Sequence, residues 1–221
     1  RAGLPARQIT SPSGHVSRYT DPAMLEIYVA AAAGQVNKRL VSLLQGRGVN
    51  AVGLSGLDGR LLLAERKTAV RALENGRQRV IRDDYTGKLA AANADLLRLL
   101  LAADYTPVIA PLAMGHDAEP LNVDGDRAAA LIAAAIGAET LIILSNVPGL
   151  LADFPDESTL IPHIPTGCLD WAEQLAAGRM KKKILASREA LTGGVGSVIL
   201  ADARVPHPIQ AALRGQGTRI G

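Results

Sequence analysis

Two short stretches bring together residue types that could do chemistry. One is Leu121-Asn122-Val123-Asp124-Gly125-Asp126-Arg127, where an amide and two carboxylates run straight into the apolar stretch from Ala128. The other is Gly178-Arg179-Met180-Lys181-Lys182-Lys183. Asn122 and Asp126 are four residues apart, so one helical turn can present both to the same pocket. Simple N-capping by Asp124 or Asp126 is the competing reading of the carboxylates. A lysine near a helix N-terminus gains nothing from the helix dipole, and an anionic ligand would remove that conflict. A solvated face is the competing reading there, and residues ~100° apart around a helix let at most one or two of the three lysines face one site. Together these residue types suit phosphoryl transfer to a carboxylate. Such a nucleophile is already ionised at pH 7 and needs no general base. It needs cations, amide donors and Mg²⁺ to hold two anions together.

Other chemistries find less support. The histidines His15, His116, His163 and His207 lack metal-ligand spacing, and a single cysteine, Cys168, cannot build a zinc site or an intrachain disulfide. No metal-ligating set is expected. Neither a Gly-x-Ser-x-Gly elbow nor a Walker A loop occurs. Aromatic residues are 3% of the chain and the net charge is +3, which argues against nucleic-acid binding. The apolar run from Ala128 to Ala138 is shorter than the ~20 residues a membrane span requires. The cysteine usage fits a reducing cytoplasm. With 221 residues, 48% of them hydrophobic, the chain can bury a sizeable core.

The elements that must position these residues alternate between strand and helix. Asp21-Pro22 reads as a helix start, with Asp at the N-cap and Pro in the first turn. Two helical runs follow, MLEIYVAAAAG and QVNKRLVSLLQ, closed by Gly46 and Gly48. Asn50–Ser55, Pro107–Pro111, Thr140–Ser145 and Ser197–Ala201 read as buried strands, with a last one at Gly217–Ile220. Asn93 reads as the cap of ADLLRLLLAAD. A helix ends near Gly137, another spans Gly178–Leu191 and a short one spans Pro208–Leu213. The turn Ser145-Asn146-Val147-Pro148-Gly149-Leu150 lies beyond a strand end, where ligands of such folds bind. Near-continuous apolar strands predict a mainly parallel central sheet covered on both faces, a three-layer αβα sandwich.

A hairpin stands apart in charge. Leu61–Leu73 and Gln78–Arg82 flank Glu74-Asn75-Gly76-Arg77, and Asn-Gly suits a type I′ turn. Residues 60 to 82 hold seven basic and two acidic side chains, +5 in a chain whose total is +3. Such a concentration favours docking of an acidic surface. A solubilising hairpin that guards a sheet edge is the competing reading.

As a set, the motifs GHVSRYTD (14–21), VGLSGLDG (52–59), RDDYTGK (82–88), PLNVDGD (120–126), LSNVPGLL (144–151), GRMKKK (178–183) and the terminal GTRI resemble the amino acid kinase family, acetylglutamate-kinase branch. SGHVSRYTD, the basic ENGR hairpin and SNVPGLL look more like its carrier-dependent members. The resemblance implies ATP with Mg²⁺ as co-substrate and an acyl phosphate product. Arg18 would grip the substrate carboxylate and Asn122 its amino-acid moiety. Asp126 would organise the catalytic lysines, and Lys183 would stabilise the transferring phosphoryl group. Ser145, Asn146, Val147, Gly149, Leu150 and Met180 would bind nucleotide. The hairpin, through Arg66, Lys67, Arg71, Arg77 and Arg79, would receive a small acidic amino-group carrier protein of the LysW type. The acceptor would be carrier-bound 2-aminoadipate, in lysine synthesis, or alternatively carrier-bound glutamate or N-acetylglutamate, in arginine synthesis. Residues 1–111 would form the substrate and carrier lobe and 112–221 the nucleotide lobe, packed as one unit, in a cytoplasmic homodimer.

The chain departs from that family at its start, where a Lys-Val-Gly-Gly strand and a His-Gly-Gly strand are expected and roughly 50 residues would precede on this analogy. The 221 residues alone are therefore expected to lack part of the phosphate site and to be inactive. A non-catalytic nucleotide or amino-acid sensor is the competing class.

Overall fold

The computed structural model describes residues 8–10, 16–66, 69–74 and 77–221; of these, the side chains of residues 8, 10, 16–18, 70–74 and 77–79 lie outside the description. The chain divides into two compact units, Arg1–Gly125 and Asp126–Gly221. The division falls fourteen residues beyond the 111/112 boundary read from sequence, because the strands after Pro111 pair back into the first unit.

In the first unit, β1 (Gln8–Thr10) and β2 (Val16–Arg18) pair antiparallel. Helix α1 (Pro22–Val29) begins as its sequence dictates: Asp21 accepts the Met24 amide at 2.8 Å and Pro22 fills the first turn. The two helical runs expected from sequence are one continuous helical segment. A π-helical stretch, Ala30–Val36, joins α1 to α2 (Asn37–Gln45). That insertion sets Asn37 over the parallel pair β3 (Ala51–Ser55) and β8 (Thr106–Ala110), where its Nδ2 donates to Leu54 O at 3.1 Å and Val108 O at 2.7 Å. Gly53 is required beneath it, since a Cβ there would collide with the Asn37 side chain.

The long strand expected over Leu61–Leu73 is two strands in two sheets. β4 (Leu62–Arg66) lies in the order β10-β9-β4-β7, whereas β5 (Val70–Glu74) and β6 (Arg77–Ile81) extend the sheet of β1 and β2. The β5–β6 register pairs Glu74 with Arg77, so two residues connect the strands. The type I′ turn expected at Asn75-Gly76 lies outside the described residues. β7 (Gly87–Ala92) pairs with β4, and α3 (Ala94–Ala102) is capped by Asn93, whose side chain accepts the Leu96 amide at 3.2 Å. β9 (Leu112–Met114) and β10 (Pro120–Asn122) complete the sheet. Leu61, Leu62, Leu112 and Leu121 are fully buried around it, and Val123 turns into the core as the alternation requires.

The second unit is three layers deep. Its sheet runs β11 (Thr140–Ser145), β13 (Ser197–Asp202), β14 (Thr218–Ile220), β12 (His163–Ile164). The β11–β13 and β12–β14 pairs are parallel and β13–β14 is antiparallel, so the sheet is mixed. Strand alternation sends Leu141, Ile143, Val198, Leu200 and Ile220 to one face, against α4 (Gly125–Ile136), α5 (Leu169–Leu175) and α6 (Arg179–Thr192). Ile199, Ala201, Ile142 and Leu144 go to the other, against Ala212 of α7 (Pro208–Leu213).

Candidate active site

The lysine cluster resolves by helix geometry. α6 is preceded at its N-cap by Gly178, whose φ of 53° and ψ of −122° are open to glycine, and the Met180 amide closes the turn onto Ala177 O at 3.0 Å. Lys183, the fifth helical residue, then reaches the first turn of α4. Its Nζ lies 3.0 Å from both Oδ1 and Oδ2 of Asp126. The two side chains are 14% and 27% exposed, enough for a ligand to reach them and too little for water to screen them fully. Lys181 is exposed, and Met180 packs against the core below the helix.

A second ion pair runs beside the first. Arg127 Nε donates to Glu189 Oε2 at 2.9 Å and its NH2 to Oε1 at 2.5 Å. Adjacent residues of α4 thus hold two positions of α6. Just past the end of α6, a Cβ on Gly193 would press into Ala134 of α4. Sequence reading missed the Arg127–Glu189 pair, because neither residue stands out from the charges around it.

The turn after β11 is shaped by one close approach. Leu150 N donates to Thr218 Oγ1 at 2.8 Å, and a Cβ on Gly149 would collide with that oxygen. Gly149 and Leu150 are buried, Ser145, Val147 and Pro148 half-buried and Asn146 exposed. A cavity of about 230 Å³ opens beside Pro148, lined also by Ala201, Val205 and Pro208. It lies on the α7 face of the sheet, whereas Met180 and Lys183 belong to the α6 face, so the cavity is no guide to the phosphoryl site. Asp202 at the end of β13 is bound by Arg204, with Nε–Oδ1 at 2.8 Å and NH2–Oδ2 at 2.6 Å, and Arg204 also reaches Glu157 at 2.8 Å. The Arg204 hydrogen bond holds the Asp202 carboxyl below its ordinary pKa, and the arginine is raised in turn.

In the first unit, Asn122 ends β10 and its Nδ2 donates to Thr20 Oγ1 at 3.0 Å. Thr20, fully buried, and Asp84, 2% exposed, were not singled out from sequence. The signal for Asp84 was the quoted RDDYTGK, where an acidic pair abuts Tyr85-Thr86-Gly87 at the start of β7. Arg18 ends β2, opposite Gln8, and its side chain lies outside the description.

The hairpin arginines divide. The Arg66 guanidinium sits 3.6 Å over the Tyr85 ring and donates to Asp84 O and Arg82 O, both at 3.0 Å. Those bonds tie it to its own unit. Arg71 stands opposite Val80, Arg79 opposite Ala72 and Arg77 opposite Glu74, with their side chains outside the description. Lys67 lies outside the described residues. No cluster of three or more His, Cys, Asp or Glu able to hold a metal occurs among the described residues.

The match to known proteins decides the family. The amino acid kinase family model covers residues 1–202. The chain belongs to the amino acid kinase family. It is 53% identical over 220 residues to the [LysW]-aminoadipate kinase of Thermus thermophilus, spanning 99% of this chain and 82% of that protein. Over 218 residues it is 52% identical to the enzyme of the same name from Deinococcus radiodurans, spanning 99% and 75%. A [LysW]-aminoadipate/[LysW]-glutamate kinase of Metallosphaera sedula is 36% identical over 222 residues, spanning 100% and 83%. Among solved structures, N-acetylglutamate synthase of Neisseria gonorrhoeae superposes with a TM-score of 0.77 at 27% identity, over 97% of this chain and 47% of that one. Carbamate kinase of Giardia lamblia superposes at 0.62 and 16% identity, over 88% and 75%. The fold is that of amino acid kinases, and the relatives are named as kinases. No helix among the described residues is long and apolar enough to cross a membrane.

Proposed function

We propose that this amino acid kinase transfers the γ-phosphoryl group of ATP to the side-chain carboxylate of 2-aminoadipate held on a small acidic LysW-type carrier protein. The observation that carries the proposal is Lys183 Nζ at 3.0 Å from both oxygens of Asp126. A carboxylate oxygen of the acceptor forms a bond to the γ-phosphorus as the bond from phosphorus to the bridging β–γ oxygen breaks. ADP leaves with that electron pair, and an acyl phosphate remains. Charge spreads over the transferring oxygens, and a preorganised ammonium lowers that barrier. Asp126 keeps the ammonium aimed.

The nucleotide is assigned to the turn Ser145–Leu150 and to Met180, and the acceptor to Asn122 and Arg18. Mg²⁺ would arrive with the nucleotide phosphates. It keeps several waters and asks for only one or two carboxylates from the protein, so Asp126 could help to hold it without a dedicated acidic cage. Arg71, Arg77 and Arg79 are assigned to carrier docking, with Lys67. Arg66 supports the hairpin base instead, since its donors are engaged within the unit.

Carrier-bound glutamate is the second reading, favoured by the double name of the Metallosphaera sedula relative. One methylene separates the acceptors, worth about 1–3 kcal/mol in a pocket. We also place a homodimer contact on α2 and the helical stretch before it. Val36, Leu40 and Leu43 recur at positions i, i+4 and i+7 and are 63%, 46% and 49% exposed. The proposed location is the cytoplasm.

The test is ADP release from the full-length protein with Mg²⁺-ATP and carrier-bound aminoadipate, carrier-bound glutamate or free N-acetylglutamate. Preference for carrier-bound aminoadipate is expected. Preference for the free amino acid would sink the carrier reading, and no turnover on any of them would leave a sensor.

A further inference from the structure

We propose that Asp84 is a positioning residue for the acceptor site, fixing Thr20, which in turn fixes the side-chain amide of Asn122. The inference rests on the reading of Asn122 as an acceptor-binding group.

A carboxylate that is 2% exposed needs partners on both oxygens. Asp84 has them: Oδ1 accepts the Thr20 amide at 3.1 Å and Oδ2 accepts the Thr86 hydroxyl at 2.6 Å. Thr20 is committed on every polar atom. Its amide goes to Asp84, its carbonyl accepts Tyr85 N at 2.8 Å, and its Oγ1 accepts Asn122 Nδ2 at 3.0 Å. The Asn122 amide donates to Tyr85 O at 2.9 Å, and Thr86 bridges to Asn122 in parallel register. Three segments far apart in sequence are thereby laced together, at residues 20, 84–86 and 122.

The chemistry of the lacing selects a carboxylate. Only an acceptor-only group takes an N–H on one oxygen and an O–H on the other without orienting itself first. An asparagine at 84 would keep the Thr20 N–H only with its oxygen on that side, leaving its NH2 to donate to the Thr86 hydroxyl, which would have to turn its own proton elsewhere. With its Nδ2 drawn to Thr20, the Asn122 side chain has a fixed orientation, and its carbonyl oxygen presents one defined acceptor position. A structural staple would need none of this at Asn122. A positioning residue requires the side-chain bond from Thr20 to Asn122, which is present.

The experiment compares the full-length wild type with Thr20→Val, Thr20→Ser and Asp84→Asn. Steady-state kinetics are measured with carrier-bound aminoadipate and with ATP. Thr20→Val leaves the Asn122 donor unpaired and should raise the acceptor KM about ten-fold, with the ATP KM unchanged. Asp84→Asn should do the same more weakly, and Thr20→Ser, which keeps Oγ, should restore the wild-type KM. A lowered melting temperature with an unchanged acceptor KM in both variants would overturn the proposal. If the wild type shows no turnover, the kinase reading fails and the positioning claim is read by NMR. There the Asn122 side-chain NH2 signals should shift and exchange faster in Thr20→Val, and unchanged signals would overturn it.

Discussion

The Lys183 ammonium, from the second turn of α6, stands equidistant, at 3.0 Å, from the two carboxylate oxygens of Asp126 in the first turn of α4, across the seam between the two helices. Replacing Lys183 with Ala should cut kcat by roughly a hundred-fold or more, the cost of removing one preorganised electrostatic group, and leave the ATP KM within a few-fold. Asp126→Asn should lower kcat by a smaller factor, since the lysine remains but loses its aim. An ATP-dependent ADP-release assay with saturating acceptor measures both. Full turnover in Lys183→Ala would remove the phosphoryl site from this seam.

Reversing charge at Arg71 and Arg79 should weaken a carrier-bound acceptor alone. The acceptor KM is expected to rise ten-fold or more at low salt, and the difference from wild type should shrink as ionic strength rises, since docking charges are screened over about 10 Å at 0.1 M salt. Kinetics at two salt concentrations decide this. Unchanged KM and salt dependence would make the hairpin an ordinary solvated edge.

Gly149 has no room for a methyl group. Gly149→Ala should destabilise the second unit by about 1–3 kcal/mol, because the new Cβ overlaps the Thr218 hydroxyl that receives the Leu150 amide. Thermal unfolding followed by circular dichroism measures it. Nucleotide affinity should fall with it if the turn binds ATP.

The Asp202–Arg204 pair supplies an acid-sensitive contribution. Its carboxyl pKa is lower folded than unfolded, chiefly through the Arg204 hydrogen bond. The stabilisation is therefore present above the ordinary carboxylate value and is lost as pH falls through the lowered one. Asp202→Asn should melt below the wild type at neutral pH. The two curves should converge below about pH 4. Parallel curves across that range would show that the pair contributes nothing to stability.

Replacing Leu40 and Leu43 with Glu should yield monomers by light scattering if the α2 stripe is a self-contact. An unchanged mass would place any dimer elsewhere.

Local chemistry was legible wherever short-range rules govern it. Asp21-Pro22 and Asn93 cap helices because capping needs only the residues of one turn, and the apolar run of β13 announces its own burial, whereas β3 and β11, read as buried strands, are buried only in part. The motif that became α4 and the lysine run that became α6 were visible as residue types. Which lysine mattered was left open by the residues alone, because helical phase must be set by packing against a second helix. The family resemblance named Lys183, and the α4–α6 seam brings it to Asp126.

What only the tertiary structure decided is long-range pairing. The break between β4 and β5, the return of β9 and β10 to the first unit and the mixed direction of the sheets depend on partners tens of residues away. The buried Thr20–Asp84 bond joins residues sixty-four apart, and the Arg127–Glu189 pair joins residues sixty-two apart. A carboxylate in sequence reads as solvated until a fold removes its water and supplies donors. The sequence alone determined the residue types and the helix caps at Asp21 and Asn93. The fold determined which of those polar groups are held, by what, and in which direction.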